Sequence, residues 1–292
     1  KRVLVLCFNR ALKERLRQII HADCSVFTWH SLIDEFLKSR GSCLDYKAMM
    51  TQKDYWQTMF ETMLEYTVDD AWKFDTLIVD EGQDFRPDWL EIAKLFLKDE
   101  HDIVWQQDSL QQLYHADSVD IEDAVKLTTY QNYRSPVCVI EFLEKYLPFT
   151  IEGANPYNGM GYRVTDYQDD TDQLEKLKTT LDELIKAGFD KDEIVILTCR
   201  GAKENLLKDI STIGKHTIRQ YTGEYDSSGN QIFTEGDILF DTIRRYKGQQ
   251  APAVIIIEAD PQKKFFENLL YCGATRATVR LEVLTPGIEE TP

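Results

Sequence analysis

The chain has 292 residues, 43% of them hydrophobic and 29% charged, and a formal net charge of −16. That length allows two domains of about 150 residues, each with its own core, and no apolar run approaches the ~20 residues a membrane-spanning helix needs. The acid excess argues against a protein that coats nucleic acid nonspecifically, because phosphate binding draws on basic surface. Local basic tracks remain at Lys1-Arg2, Arg10 to Arg17, and Arg244-Arg245 with Lys247. Six cysteines, Cys7, Cys24, Cys43, Cys138, Cys199 and Cys272, lack paired spacing and suit reduced thiols in a cytoplasmic protein.

In chain order, the first element is an apolar strand at Val3 to Phe8, which opens without a cap or signal-like segment and reads as the start of a fragment cut inside a domain. A helical pattern follows at Ala11 to Ile20, a short strand at Ser25 to Phe27, and helices at Ser31 to Leu37 and Tyr55 to Tyr66. Thr76 to Val79 has the near-continuous apolar character of a strand covered on both faces. Pro87 fits the first turn of the next helix, whose apolar face is Trp89, Ile92, Ala93, Leu95 and Phe96. Ile103 to Trp105 is the following strand. Helices at Ser135 to Tyr146, Thr171 to Ala187 and Phe265 to Cys272 then alternate with strands at Tyr162 to Thr165, Ile194 to Thr198, Val254 to Ile257 and Leu281 to Leu284. Pro148 to Gly161 is a Gly/Pro/Asn-rich connection, and Asp226 to Asn230 a polar stretch. This alternation predicts an α/β fold with largely parallel sheets, divided into domains at residues 1–124 and 125–292.

Chemistry is concentrated where Leu77-Ile78-Val79 runs into Asp80-Glu81-Gly82-Gln83-Asp84. Buried parallel strands carry their functional groups at the carboxyl edge. An aspartate there can hold Mg²⁺ directly or through water, and a neighbouring glutamate can polarise a water molecule that attacks a γ-phosphate. A solvated acidic turn is the alternative. Six further segments bear on it: Leu6 to Leu12, Phe27 to Leu32, Asp108 to Tyr114, Leu127 to Ser135 with its Asn132-Tyr133-Arg134-Ser135, Thr242 to Gln250, and Tyr271 to Ala277 with Thr275-Arg276-Ala277. With the acidic segment between the second and third of them, they resemble in this order motifs Ia, Ib, II, III, IV, V and VI of superfamily 1 helicases of the UvrD/Rep type, over nearly the whole chain.

The resemblance implies two tandem RecA-like domains of the P-loop NTPase type that close on ATP, with single-stranded DNA crossing their top. It gives Asp80 the Mg²⁺ role, Glu81 the general-base role and Gln111 the γ-phosphate sensor role. Arg134 and Arg276 become arginine fingers, since a planar guanidinium binds phosphate bidentately. Lys247 and Gly248 form a tight turn near the nucleotide, with Gln250 where the family has a ribose-binding glutamate; an amide still accepts from a hydroxyl. Gln107 replaces the family's usual glycine before Asp108. The DNA contacts implied are Phe8, Asn9, Thr28, His30, Tyr114, Thr242 and Arg244, through phosphate hydrogen bonds and sequence-tolerant stacking. Phe8 has a second reading as core, His30 as a hydrogen-bonder at a helix start, Arg244 and Arg245 as a solvated face of which one touches phosphate, and Tyr133 as packing. RNA is the lesser alternative partner, because these contacts do not by themselves distinguish the two sugars.

No G-x-x-x-x-G-K-[ST] phosphate loop occurs in these residues, so the first domain is expected to lack its N-terminal phosphate-loop unit. The expected activity is that of an ATP-dependent DNA helicase or translocase core, inactive alone as this piece. The alternative is a helicase-like non-catalytic binding module of a nuclease or DNA-repair complex. A complete set of hydrolysis residues favours the first.

Overall fold

The computed structural model describes residues 1–21, 23–42, 55–114, 119–148, 150–225 and 231–290. They fall into two compact units, Lys1–Ala124 and Val125–Pro292. The polar stretch at 226–230 lies outside the described residues, as does Cys43; the other five cysteines are free thiols. Among the described residues no helix is long and apolar enough to cross a membrane.

In the first unit β1 (Val3–Cys7), α1 (Arg10–Ile19), β2 (Cys24–Thr28), α2 (Trp29–Ser39), α3 (Tyr55–Leu64), β3 (Phe74–Val79), α4 (Pro87–Lys94) and β4 (Leu97–Trp105) follow one another. The strands form one sheet in the order β2-β1-β3-β4, with every neighbouring pair parallel. Alternation along the strands divides the apolar residues between two faces. Leu4 and Leu6 of β1 and Leu77 and Val79 of β3 join one core with Trp29, Leu32, Ile33 and Phe36 of α2, Met59 and Met63 of α3, and Trp89 and Leu90 of α4. Helix α4 stops at Lys94, two residues short of the apolar pattern; Leu95 turns out to solvent at 41% exposure, while Phe96 is buried in the core. β4 starts earlier than expected because Leu97 pairs with Phe74, and an irregularity then resets the register so that Asp102 faces Thr76.

The second unit contains β5 (Gln131–Asn132), α5 (Val137–Tyr146), β6 (Glu152–Gly153), β7 (Tyr162–Asp166), α6 (Asp170–Lys186), β8 (Ile194–Thr198), β9 (Thr212–Ile213), β10 (His216–Tyr225), β11 (Gln231–Phe233), β12 (Ile238–Thr242), α7 (Ile243–Tyr246), β13 (Ala251–Ile257), α8 (Phe266–Ala274) and β14 (Ala277–Thr285). Its main sheet runs β11-β10-β12-β8-β13-β14-β7, with β9 beside β10; β9 and β11 are antiparallel to β10 and the other pairings are parallel. β8 is buried at every position, as a strand covered on both faces must be. Ile194, Ile196, Ile255 and Ile257 pack with Leu177, Leu181 and Leu184 of α6. On the other face α8 lies so close that a Cβ on Gly273 would stand 3.0 Å from Ile256 and 2.9 Å from Ile243. The result is a helix–sheet–helix sandwich. β9 to β12 were absent from the sequence reading: β10 is a mostly polar strand (HTIRQYTGEY) near the sheet edge.

Ile255 sits fully buried between β8 and β14. Ile255→Ala is expected to lower the unfolding free energy by about 2–5 kcal/mol through lost burial and a residual cavity. Denaturant titration reads the loss, and hydrogen exchange should place it in the second sheet.

Candidate nucleotide and nucleic-acid sites

Parallel pairing sends the carboxyl ends of β1, β2, β3 and β4 to one edge, so Phe8-Asn9, Thr28 to His30, Asp80-Glu81 and Gln106 to Gln111 emerge together. Two caps fix the first loops. The Asn9 side chain accepts from the Leu12 amide at 2.8 Å, and Thr28 and Ser31 form a reciprocal capping box at the start of α2. The capping bonds at this helix start are made by Thr28 and Ser31. Ser31 went unnoticed in the sequence because a serine, not the usual Glu or Gln, closes the box.

Three expected DNA residues meet as rings. Phe8 lies 4.9 Å from Tyr114 and 6.4 Å from His30, centroid to centroid, and 6.1 Å from the stacked indole of Trp89. His30 also meets Trp89 edge-on at 5.4 Å. Phe8 and Tyr114 are half-buried, and Phe8 packs against the core, in line with its second reading. Burial, with Arg10 nearby, pushes the His30 imidazole down to about 4. His30 is therefore neutral at pH 7.

At the end of β3, Glu81 adopts left-handed backbone (φ 57°, ψ 42°), a conformation that costs a non-glycine residue about 1–2 kcal/mol. Its amide donates to Asp80 Oδ1 at 2.9 Å, and its carbonyl accepts from the Asp84 amide at 3.0 Å. Gly82 follows, its N–H on the Gln106 carbonyl at 2.8 Å; a Cβ there would fall 2.3 Å from the Trp105 indole nitrogen. Trp105 in turn donates to Gln107 Oε1 at 3.1 Å, which is what the residue replacing the family glycine does. Gln83, buried, donates from Nε2 to Glu81 Oε2 at 2.6 Å and accepts the Asp108 N–H on Oε1 at 3.0 Å. Asp108 accepts from the Leu110 N–H at 3.0 Å and from Gln111 Nε2 at 2.8 Å. Glu81 and Gln111 are thus joined through Gln83 and Asp108. Nothing in the sequence assigned Gln83 this place.

In the second unit the expected residues divide between two edges of the sheet. Thr242 and Arg244 stand at the carboxyl ends, where Thr242 pairs with Thr198. Thr242 caps α7 by accepting from the Arg245 amide at 3.3 Å. Arg245 is committed to the protein: its guanidinium lies 3.8 Å from the Tyr221 ring centroid and 3.6 Å from Asp241. Arg244 has no ion pair among the described residues and is half-buried. Beside it, Arg200 pairs with the fully buried Glu258 at 2.9 Å, and Glu258 also accepts from Thr198 and from the Leu206 amide. Arg200 is a cation at this edge that the sequence reading missed, since the buried carboxylate that holds it is distant in the chain.

Arg276, Lys247, Gly248 and Gln250 collect where β13 and β14 begin. Gly248 has φ 85°, a turn that glycine adopts without strain. Arg276 is fully buried, donating to the Cys272 carbonyl at 2.9 Å, the Thr275 hydroxyl at 2.9 Å and the Gln249 carbonyl at 3.4 Å. Lys247 is buried as well. Arg134 lies in the turn before α5, where its carbonyl accepts from Asn155 at 3.1 Å. Asn132 Oδ1 accepts both the Arg134 and Ser135 amides, at 2.9 and 2.8 Å, and this turn leaves the Arg134 and Tyr133 side chains exposed. Tyr133 is therefore not core packing.

Among the described residues no group of three or more His, Cys, Asp or Glu side chains could hold a metal ion. Asp80 is a carboxylate of the kind that binds Mg²⁺, with phosphate oxygens and water supplying the other ligands.

Residues 237–284 match the UvrD-like helicase C-terminal domain. A comparison with curated proteins finds no match. Among solved structures, the C-terminal domain of a possible DNA helicase from Lactobacillus plantarum WCFS1 is similar at 20% identity and a TM-score of 0.39, over 54% of this chain and 89% of that one. The matched segment lies within the second unit.

Asp241, buried beside Thr242, has its carboxyl pushed up from an ordinary 3.8 to about 6 by burial, against the opposing pull of Arg245 and the Thr242 amide. The folded state then binds more protons than the unfolded chain between about pH 4 and 6, so this group's contribution to stability falls as pH rises through that window and levels off above it. Asp241→Asn should remove the fall. Its unfolding free energy relative to the native chain should rise between pH 4 and 6, by up to about 3 kcal/mol, in denaturant titrations at each pH.

Proposed function

We propose that this chain is the core of an ATP-dependent motor on single-stranded DNA, a UvrD-like helicase or translocase built from two RecA-like domains. The observation that carries the reading is the match over residues 237–284, which contains Thr242, Arg244, Lys247, Gly248, Gln250 and Arg276. Asp80 holds Mg²⁺ in this reading, Glu81 takes a proton from the attacking water, and Gln111 senses the γ-phosphate. Arg134 and Arg276 bring cationic charge to the phosphates, the kind of stabilisation phosphoryl transfer depends on. Arg276 must leave its carbonyl partners to do so. Magnesium supplies charge neutralisation on the phosphate oxygens when bound.

The nucleic-acid track comprises Phe8, Asn9, Thr28, His30 and Tyr114 in the first unit and Thr242 and Arg244, joined by Arg200, in the second. Rings that bases can stack on and a few cations for phosphates give binding without sequence preference. DNA is favoured over RNA on the family reading. The 292 residues hold no phosphate loop, so we infer that ATP turnover needs such a loop in the same polypeptide and that this stretch alone turns over feebly or not at all. Cytoplasmic location follows from the same reading.

Two measurements test the proposal. Labelled oligo(dT) should bind the chain with strong salt dependence, and Arg244→Ala should reduce the slope of log K against log salt by about 0.7, the value for one phosphate contact on a single strand. In a polypeptide that joins a phosphate loop to these residues, Glu81→Gln should cut DNA-stimulated ATP turnover by about 10²-fold or more, the usual loss of a general base. Absence of both oligo(dT) binding and turnover would instead favour a helicase-like module that binds a nuclease or repair partner.

A further inference from the structure

Gln83 occupies a position that the motor reading leaves without a task. It is 7% exposed, yet both ends of its amide are used, and on different loops: Nε2 donates to the Glu81 carboxylate at 2.6 Å, and Oε1 accepts the Asp108 N–H at 3.0 Å. Asp108 continues the connection by accepting from Gln111 Nε2 at 2.8 Å. The bases of the two loops are tied together: the Gln106 N–H donates to the Val79 carbonyl at 2.9 Å and the Gly82 N–H to the Gln106 carbonyl at 2.8 Å. The Trp105 indole closes over Gly82 and leaves no room for the backbone between Glu81 and Gln83 to swing that way. The Gln83 side chain thus connects the Gln111 loop to the Glu81 carboxylate.

We propose that Gln83 is a positioning residue that couples the Gln111 loop to the orientation of the Glu81 carboxylate. The proposal rests on the reading of Glu81 as base and Gln111 as sensor only for its functional meaning; the mechanical link stands on the hydrogen bonds themselves. A buried amide suits the task because leaving either end unmade costs the full desolvation of that group, so the side chain follows both partners at once. Glutamine also supplies a donor and an acceptor together, which neither glutamate nor methionine does.

The test follows the Glu81 carboxyl carbon by NMR in the 292-residue chain, isotopically labelled at glutamate carboxyls, with the resonance assigned by its loss in Glu81→Gln. Gln111→Ala should move this resonance in the native background and leave it unmoved in a Gln83→Met background. Gln83→Glu, which keeps an acceptor for the Asp108 amide but cannot donate to Glu81 once ionised, should also break the transmission and serves if Gln83→Met fails to fold. A Glu81 resonance that responds equally to Gln111→Ala with and without Gln83, or not at all in the native background, overturns the proposal. A second arm separates it from the functional reading. In the phosphate-loop-containing polypeptide, a nucleotide-induced change in oligo(dT) affinity of about tenfold, typical of coupled sites, should fall to less than about twofold in Gln83→Met. A tenfold effect that survives Gln83→Met contradicts the relay alone. Lack of any nucleotide effect in the unsubstituted protein contradicts the motor reading and leaves the NMR result to decide the relay.

Discussion

Parallel strand pairing is the constraint on which the rest of this protein depends. Once β1, β2, β3 and β4 run in one direction, the residues that follow them have to emerge along a single edge, and groups far apart in sequence become neighbours without any loop having to travel. Phe8, His30 and Tyr114 touch as rings for this reason. The same polarity in the second sheet has the opposite consequence for two sets of residues. Thr242 and Arg244 follow a strand and stand at one edge; Gln250 and Arg276 precede strands and stand at the other. Residues read as nucleic-acid contacts and residues read as nucleotide contacts are thereby sorted by strand direction.

The polar groups at these edges are held with little freedom. Glu81 keeps a left-handed backbone that the surrounding hydrogen bonds over-determine, as strained residues at functional sites commonly are. Glu258, also left-handed and fully buried, is answered by Arg200, Thr198 and the Leu206 amide. A carboxylate without such partners would be neutralised by burial. Arg276 and Lys247 show the complementary case, cations withdrawn into the protein and satisfied in Arg276 by carbonyl oxygens. A side chain stored in this way can act on a ligand only by exchanging one set of partners for another.

The core strands were legible in the sequence for a definite reason. β8, read as Ile194 to Thr198, matches residue for residue, because a strand buried on both faces is an unbroken apolar run bounded by polar residues. β10 was invisible because it is long, mostly polar and near the sheet edge. The helix face that seemed to reach Leu95 and Phe96 stopped at Lys94, since Phe96 is drawn into the core by the chain's turn into β4 while Leu95 is left outside. At the site, residue types and their order were readable but pairings were not. Gln83 sat within the acidic motif without a role until its two hydrogen bonds were seen. The anchor beneath Arg200 has no local signature, because Glu258 belongs to a distant segment of the chain.

The central claim is that, in each unit taken by itself, the proposed nucleic-acid contacts stand at the carboxyl edge of its parallel sheet. Photo-crosslinking of the chain to oligo(dT) bearing 5-iodouracil, followed by peptide mapping, tests it most directly. The account expects adducts on Phe8, His30 or Tyr114 and on peptides spanning Thr242 and Arg244. Adducts confined to the opposite edges, around Lys1-Arg2, Lys73 and Lys191, would contradict it.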